Sequence, residues 1–266
     1  MNRTSLPVEL EPRALCLIVF AINQHPDWPF ILLANRDEFY DRPTQGLHFW
    51  PDAPIIAGRD IKALGSWMGF SRSGRFAALT NYRDGTRSDS GPSRGQLVTD
   101  FLTHTSPAAH YQPPAEVRSG YNLLRADRSG IFYSGNRGAA LQPLSSGLYT
   151  LSNALLDTPW PKAQRARAAL SRALSDRSLA PSQLLALLHD DTRADDRELP
   201  DTGIPIDKER LLSSCFIHSG DYGTRATTLV MQNSEGDTRM IERRFGQGGN
   251  YSGETDLTLR LPPLGL

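Results

Sequence analysis

Two short apolar runs, Leu15 to Ile22 and Phe30 to Ala34, flank the segment His25-Pro26-Asp27-Trp28-Pro29, and no other stretch restricts the fold as much. Runs of roughly four to eight apolar and β-branched residues bounded by turn formers read as buried strands, so the pair makes a hairpin. In an antiparallel hairpin the start of the first strand lies beside the end of the second. Cys16 is thereby set against Asn35-Arg36-Asp37-Glu38, a thiol against a carboxylate-bearing strand end.

The rest of the chain continues in strand clusters. Pro51 to Gly58, Ser66 to Phe70 and Phe76 to Thr80 have strand character, the last following a Ser71-Arg72-Ser73-Gly74 turn. Tyr121 to Ala126 and Gly130 to Ser134 flank the polar turn Asp127-Arg128-Ser129, and Leu148 to Ser152 adds another strand. Thr227 to Gln232 and Thr238 to Phe245 form a hairpin around Asn233-Ser234-Glu235-Gly236. Helical periodicity is confined to Arg94 to His104, Pro161 to Leu174 and Pro181 to His189, the last two opening on a proline suited to a first helical turn. Strands and helices do not alternate strictly, which argues against Rossmann and barrel folds. The pattern predicts an α+β fold of stacked antiparallel sheets covered by helices, in one domain over residues 16–266. Loops are expected at Gln45 to Ala53, Tyr82 to Gly91 and the charged stretch Asp190 to Arg197.

With 29 basic and 29 acidic residues, the chain has no net field to draw it to nucleic acid or an anionic membrane. Its longest apolar run, Ala14 to Ile22, falls far short of the roughly 20 residues that span a bilayer. Glu9 and Glu11 stand where a signal peptide carries positive charge. Two cysteines, Cys16 and Cys215, are too few for a disulfide scaffold and fit a reducing compartment, with the cytoplasm as default. There is no phosphate-binding loop, dinucleotide fingerprint, zinc spacing or Gly-x-Ser-x-Gly elbow, so neither metal nor organic cofactor is expected. Arg-Asp recurs at Arg36-Asp37, Arg59-Asp60 and Arg83-Asp84, and solvated strand-end ion pairs are the simplest expectation for it.

Several segments carry a more specific pattern: Cys16-Leu17-Ile18-Val19-Phe20, Ala34-Asn35-Arg36-Asp37-Glu38-Phe39, Gly65-Ser66-Trp67-Met68-Gly69 and Ala78-Leu79-Thr80-Asn81-Tyr82-Arg83. Leu151-Ser152-Asn153 through Trp160-Pro161-Lys162 and Tyr222-Gly223-Thr224-Arg225-Ala226-Thr227-Thr228 complete it. In this order they resemble the NRDE family, also called the transport and Golgi organisation protein 2 family. That family is similar in turn to the N-terminal-nucleophile hydrolases, which implies a four-layer α-β-β-α sandwich with two stacked antiparallel sheets. The nearest branch, the bile-salt hydrolases and penicillin V acylases, cleaves non-peptide amide bonds.

The resemblance implies roles. Cys16 would be the nucleophile, passing through a thioester to hydrolysis or acyl transfer. Asp37 would orient a free α-amine on Cys16, the proton acceptor. Asn81 and Asn153 would face the oxyanion, and Arg225 would lower the thiol pKa. Asn35, Arg36, Glu38, Trp67, Tyr82 and Arg83 complete the candidate substrate pocket. Bile-salt hydrolases carry an arginine immediately before the Asn-x-Asp, whereas this chain has Ala34 there and Arg36 inside the motif, leaving the thiolate-supporting arginine open. Asp37 and Glu38 compete for the amine, and strand alternation lets only one of them face Cys16. The residues alone also permit plainer roles: Asn81 and Asn153 as turn caps, Trp67 and Trp160 as core aromatics, Cys215 as core, and Arg225 paired with Asp37 in a buried network.

Met1 to Leu15 precede the cysteine that this chemistry needs at the N-terminus. Either translation starts at Leu15, or residues 1–15 are a propeptide that Cys16 removes; Met1 to Pro12 itself reads as a flexible leader. A competing class is a binding or trafficking protein on the same fold. The family's links to the secretory pathway, lipid metabolism and haem mobilisation imply haem or a lipid-related molecule as its ligand. The partner in either case is a small molecule, and the sequence leaves the oligomeric state open.

Overall fold

The computed structural model describes residues 15–83, 91–176 and 179–266. The opening hairpin is present: β1 (Leu15–Ile22) runs antiparallel to β2 (Phe30–Phe39), with Cys16 opposite Arg36 and Leu17 opposite Asn35. Strand β2 is longer than the sequence suggests, because Asn35-Arg36-Asp37-Glu38 continues it rather than turning. The physical reason is a second partner, β11 (Tyr222–Gln232), whose ladder supplies hydrogen bonds to those residues from the other side.

β1 and β2 lie inside a six-stranded antiparallel sheet of order β10-β1-β2-β11-β12-β13, completed by β10 (Gly147–Leu151), β12 (Asp237–Phe245) and β13 (Tyr251–Arg260). A seven-stranded antiparallel sheet follows chain order: β3 (Thr44–Phe49), β4 (Ile55–Asp60), β5 (Met68–Ser71), β6 (Phe76–Asn81), β7 (Tyr121–Asp127), β8 (Gly130–Gly135) and β9 (Gln142–Leu144).

Period-two alternation sorts the side chains into layers. Ile18, Phe20, Phe30, Leu32 and Ala34 point into a core shared with Ile56, Met68, Phe70, Phe76 and Leu124 of the second sheet. The odd-numbered Leu17, Val19, Ala21, Ile31 and Leu33 point the other way. They pack on Ala163, Ala166 and Leu170 of α2 (Pro161–Ala173) and on Leu184 and Leu185 of α3 (Pro181–Ala186). Beyond the second sheet, Ile55, Ala77, Leu79 and Leu123 receive Leu97, Val98, Phe101 and Leu102 of α1 (Gly95–Thr103). The layers are therefore helix, sheet, sheet, helix: the expected α+β four-layer sandwich. Between the sheets Phe30 meets Phe76 edge to face, with centroids 5.4 Å apart, and each such fully buried ring contributes about 2–3 kcal/mol.

Several expectations need correction. The expected loop Gln45 to Ala53 contains β3, an edge strand in which only Leu47 is buried, so its sequence lacks an apolar alternation to betray it. The expected strand at Pro51 begins only at Ile55, and β13 carries no buried apolar run to mark it, since every residue in it is at least partly exposed. Neither Arg36-Asp37 nor Arg59-Asp60 pairs internally. Adjacent strand residues face opposite ways, so Arg59 binds Asp52, Asp60 binds Arg42, and Arg83 binds Glu209 of α4 (Ile206–Leu211). Residues 1–14, Asp84 and most of the expected loop Tyr82 to Gly91 lie outside the described residues. Among the described residues, no helix is long and apolar enough to cross a membrane.

Candidate active site

The alternation that builds the layers also divides the strand end. Cys16, Arg36 and Glu38 continue the inter-sheet face of β1 and β2 and line a cavity of about 100 Å³ there. Its other walls come from Arg42, Asp60, Trp67, Leu79, Asn81 and the residues that open α1, Ser93 to Gly95. The Arg36 guanidinium lies 4.4 Å from the centre of the Trp67 ring. The indole fits because residue 58 is glycine: a Cβ there would stand 2.2 Å from a Trp67 ring carbon. Arg36 Nη1 donates to Thr44 Oγ1 at 3.2 Å, and Nη2 lies 3.7 Å from Glu38 Oε2. At the mouth, Arg42 Nε and Nη2 both donate to Asp60 Oδ2, at 3.1 and 2.7 Å.

Burial and, second, the negative charge of Asp37 push the Cys16 thiol up to about 12, against the opposing pull of Arg36. The thiol is therefore protonated at neutral pH with its peptide bond to Leu15 intact. This corrects the expectation of a thiol pKa lowered by Arg225. That residue sits at a bulge in β11 and gives Nη1 to the carbonyls of Phe39 and Arg42, at 2.7 and 3.2 Å. It neither lines the cavity nor pairs with Asp37, and Arg36 is the cation on the thiol's side.

Asp37 and Asn35 face the helices. Asp37 is fully buried; its Oδ1 accepts a 2.6 Å hydrogen bond from Thr224 Oγ1, while its Oδ2 has no partner among the described residues. Burial pushes its carboxyl up to about 7, partly countered by Lys162. Lys162 occupies the buried stripe of α2 with Ala163, Ala166 and Leu170; burial pulls its ammonium down to about 8, and among the described residues Nζ also lacks a hydrogen-bond partner. Next to it Arg83 gives Nη1 to Glu209 at 2.6 Å and leaves Nε and Nη2 unpartnered beside the Trp160 ring. Asn35 is structural: its Nδ2 donates to the carbonyls of Leu188 and Cys215 at 2.9 and 2.8 Å, tying the helical layer to β2.

Asn81 lines the cavity, but Asn153 does not. Its Nδ2 donates to the Asn81 carbonyl at 3.0 Å, so it fixes the end of β6. Ser152 Oγ lies 3.1 Å from the Cys16 carbonyl and ties β10 to the start of β1. Tyr82 leaves the end of β6 with its N–H on the Gly120 carbonyl, away from the cavity. Of the candidate site residues, then, Cys16, Arg36, Glu38, Trp67 and Asn81 come together in the cavity, and Asp37 meets Cys16's strand from the opposite face. Sequence reasoning missed Lys162, Thr224, Glu209 and the Arg42–Asp60 pair. Lys162 alone left a signal, a lysine in register with the apolar stripe of α2.

Cys16 stands at the start of an interior strand of this four-layer sandwich, beside the Asn35-Arg36-Asp37 strand end. The sequence matches the Transport and Golgi organisation 2 profile over residues 15–247, and the chain belongs to that family. It is 33% identical over 260 residues to the Transport and Golgi organization protein 2 homolog of Bos taurus, covering 86% of this chain and 92% of the relative. The Homo sapiens homolog is 34% identical over 256 residues, with the same coverage. A solved structure of similar layout is the Caenorhabditis elegans ortholog of N-acylethanolamine-hydrolyzing acid amidase. It has 13% identity and a TM-score of 0.45, over 80% of this chain and 92% of that one.

Proposed function

We propose that the protein is a cysteine hydrolase or acyltransferase that cleaves a small amide or acyl ester, with Cys16 as the first residue of the working chain. One observation carries this reading. Cys16 lines the cavity while Asp37, opposite Leu15 in the ladder, keeps a buried carboxylate oxygen without a partner among the described residues. A free α-amine on Cys16 would supply that partner. The peptide nitrogen of an internal residue 16 cannot accept a proton, whereas an α-amine of pKa near 8 accepts the one from the thiol. Sγ then bonds to the acyl carbon, and the carbonyl oxygen takes up charge facing Asn81. As the C–N bond breaks, the amine's proton passes to the leaving group. Water or a second nucleophile releases the resulting thioester and restores the thiol. Both cysteines are free and buried, which supports the cytoplasm as the place of action.

Carriage of haem through Cys16 is less well supported. The cavity beside the thiol is small, at about 100 Å³, which favours a small acyl group over a macrocycle. The test is mass-resolved labelling with a β-lactam or acyl electrophile, using a chain that begins at Cys16 and one that retains residues 1–15. The first acquires one acyl adduct on Cys16, the second none; Cys16→Ser abolishes labelling and Asp37→Asn slows it at least tenfold. Labelling of Cys16 no faster than that of Cys215 would overturn the proposal.

A further inference from the structure

We infer that the group seated beside Cys16 is anionic: the cavity takes a short acyl donor with a carboxylate within a bond or two of the reacting carbon. The inference rests on Cys16 being the nucleophile. Two guanidinium groups, Arg36 and Arg42, line the cavity together with two carboxylates, Glu38 and Asp60. Both carboxylates are already served. Asp60 accepts from Arg42 on one oxygen and from the Lys62 and Ala63 amides on the other, and Glu38 Oε1 accepts from the Phe39 amide.

Arg36 is the exception. It is 5% exposed, yet among the described residues its donor fork makes a single hydrogen bond, to Thr44, with Glu38 standing off at 3.7 Å. The Trp67 ring holds the guanidinium in place, which keeps its remaining N–H groups aimed as a fixed planar edge, the shape that matches two carboxylate oxygens. Asp37 points to the other face of the sheet, where Thr224 donates to it. A volume of about 100 Å³ holds only a few heavy atoms, with Leu79 and Trp67 as apolar wall for the methylenes between carbonyl and carboxylate.

Iodoacetate and iodoacetamide test this directly, because they differ in charge and hardly in size. With either reagent Sγ displaces iodide from the methylene carbon, an S–C bond replaces the C–I bond, and the thiol proton goes to buffer. The quantity read is the rate ratio of iodoacetate to iodoacetamide at Cys16, by peptide mass mapping of the chain beginning at Cys16. The same ratio in the urea-unfolded chain is the reference. The expected ratio in the folded protein is at least tenfold above that reference, falling at least threefold in Arg36→Met and in Arg42→Gln, and falling with added salt. Arg42→Gln keeps the test valid should Arg36→Met misfold. If both reagents label Cys16 with the unfolded ratio, or if neither arginine variant changes it, the anionic group is wrong while the nucleophile stands. If neither reagent labels Cys16 faster than Cys215, both fall.

Discussion

The two faces of the six-stranded sheet at the Cys16 end are built from the same few residues and treat charge in opposite ways. On the inter-sheet face, the carboxylates of Glu38 and Asp60 are matched by backbone amides and by Arg42, at a cavity wall. On the helix face, Asp37, Lys162 and Arg83 are packed out of solvent with polar atoms left unpartnered. Arranged partners make charge inexpensive on the first face; on the second, desolvation dominates and pulls Asp37 and Lys162 toward neutrality. The lesson is that one dipeptide step, Arg36 to Asp37, separates a region suited to recognition from one suited to holding protons.

The strongest way to break that contrast is to remove one cation from each face. Lys162→Met leaves Asp37 buried without its main counter-charge and is expected to cost about 3–5 kcal/mol in urea unfolding at pH 8. The double variant Lys162→Met/Asp37→Asn should recover at least half of that loss. Arg42→Gln, which opens a partly exposed pair, should cost about 1 kcal/mol or less. Equal losses on the two faces would erase the distinction.

A smaller effect is expected on the cavity side. Gly58→Ala drives a Cβ into the Trp67 ring and should cost about 1–3 kcal/mol by thermal unfolding. If Trp67 positions Arg36, the same variant lowers the iodoacetate preference; an unchanged preference would mean that the ring is mere filler.

The smallest effect is a slope. Asp37 titrates near 3.8 in the unfolded chain and near 7 when folded, so the folded state keeps the proton longer. Its stabilising contribution is complete below pH ~4 and is lost as pH rises through about 7. Lys162, lowered from 10.5 to about 8, is protonated in both states over most of that window and adds little slope there. Relative to Asp37→Asn, the wild type should lose about 1 kcal/mol per pH unit between pH 5 and 7 in urea midpoints converted to free energy. A parallel pair of curves would show that Asp37 is ionised throughout.

Much of this was legible in the sequence because it is local. The runs Leu15 to Ile22 and Phe30 to Ala34 announce a hairpin, and the hairpin alone brings Cys16 to Arg36. Alternation predicts that Asp37 and Glu38 part company, as they do. What stayed hidden depends on neighbours far along the chain. The burial of Lys162 arises where α2 docks on β1 and β10, and nothing in Pro161-Lys162-Ala163 distinguishes a buried lysine from a solvated one except its place on the stripe. Arg225 was misassigned because β11 carries one residue more than its partner requires, an irregularity with no glycine or proline to mark it.

That extra residue has a consequence of its own. Beyond it the strand's parity is reversed: Thr228 and Ala226 lie opposite Ala34 and Arg36 on the cavity side, yet Thr224 turns to Asp37 on the helix side. The site is thus sensitive to length before it is sensitive to identity. Exchanging Arg225 for another residue alters a clamp on two carbonyls. Deleting it rotates the strand end by half a turn, taking the Thr224 hydroxyl away from the carboxylate it serves.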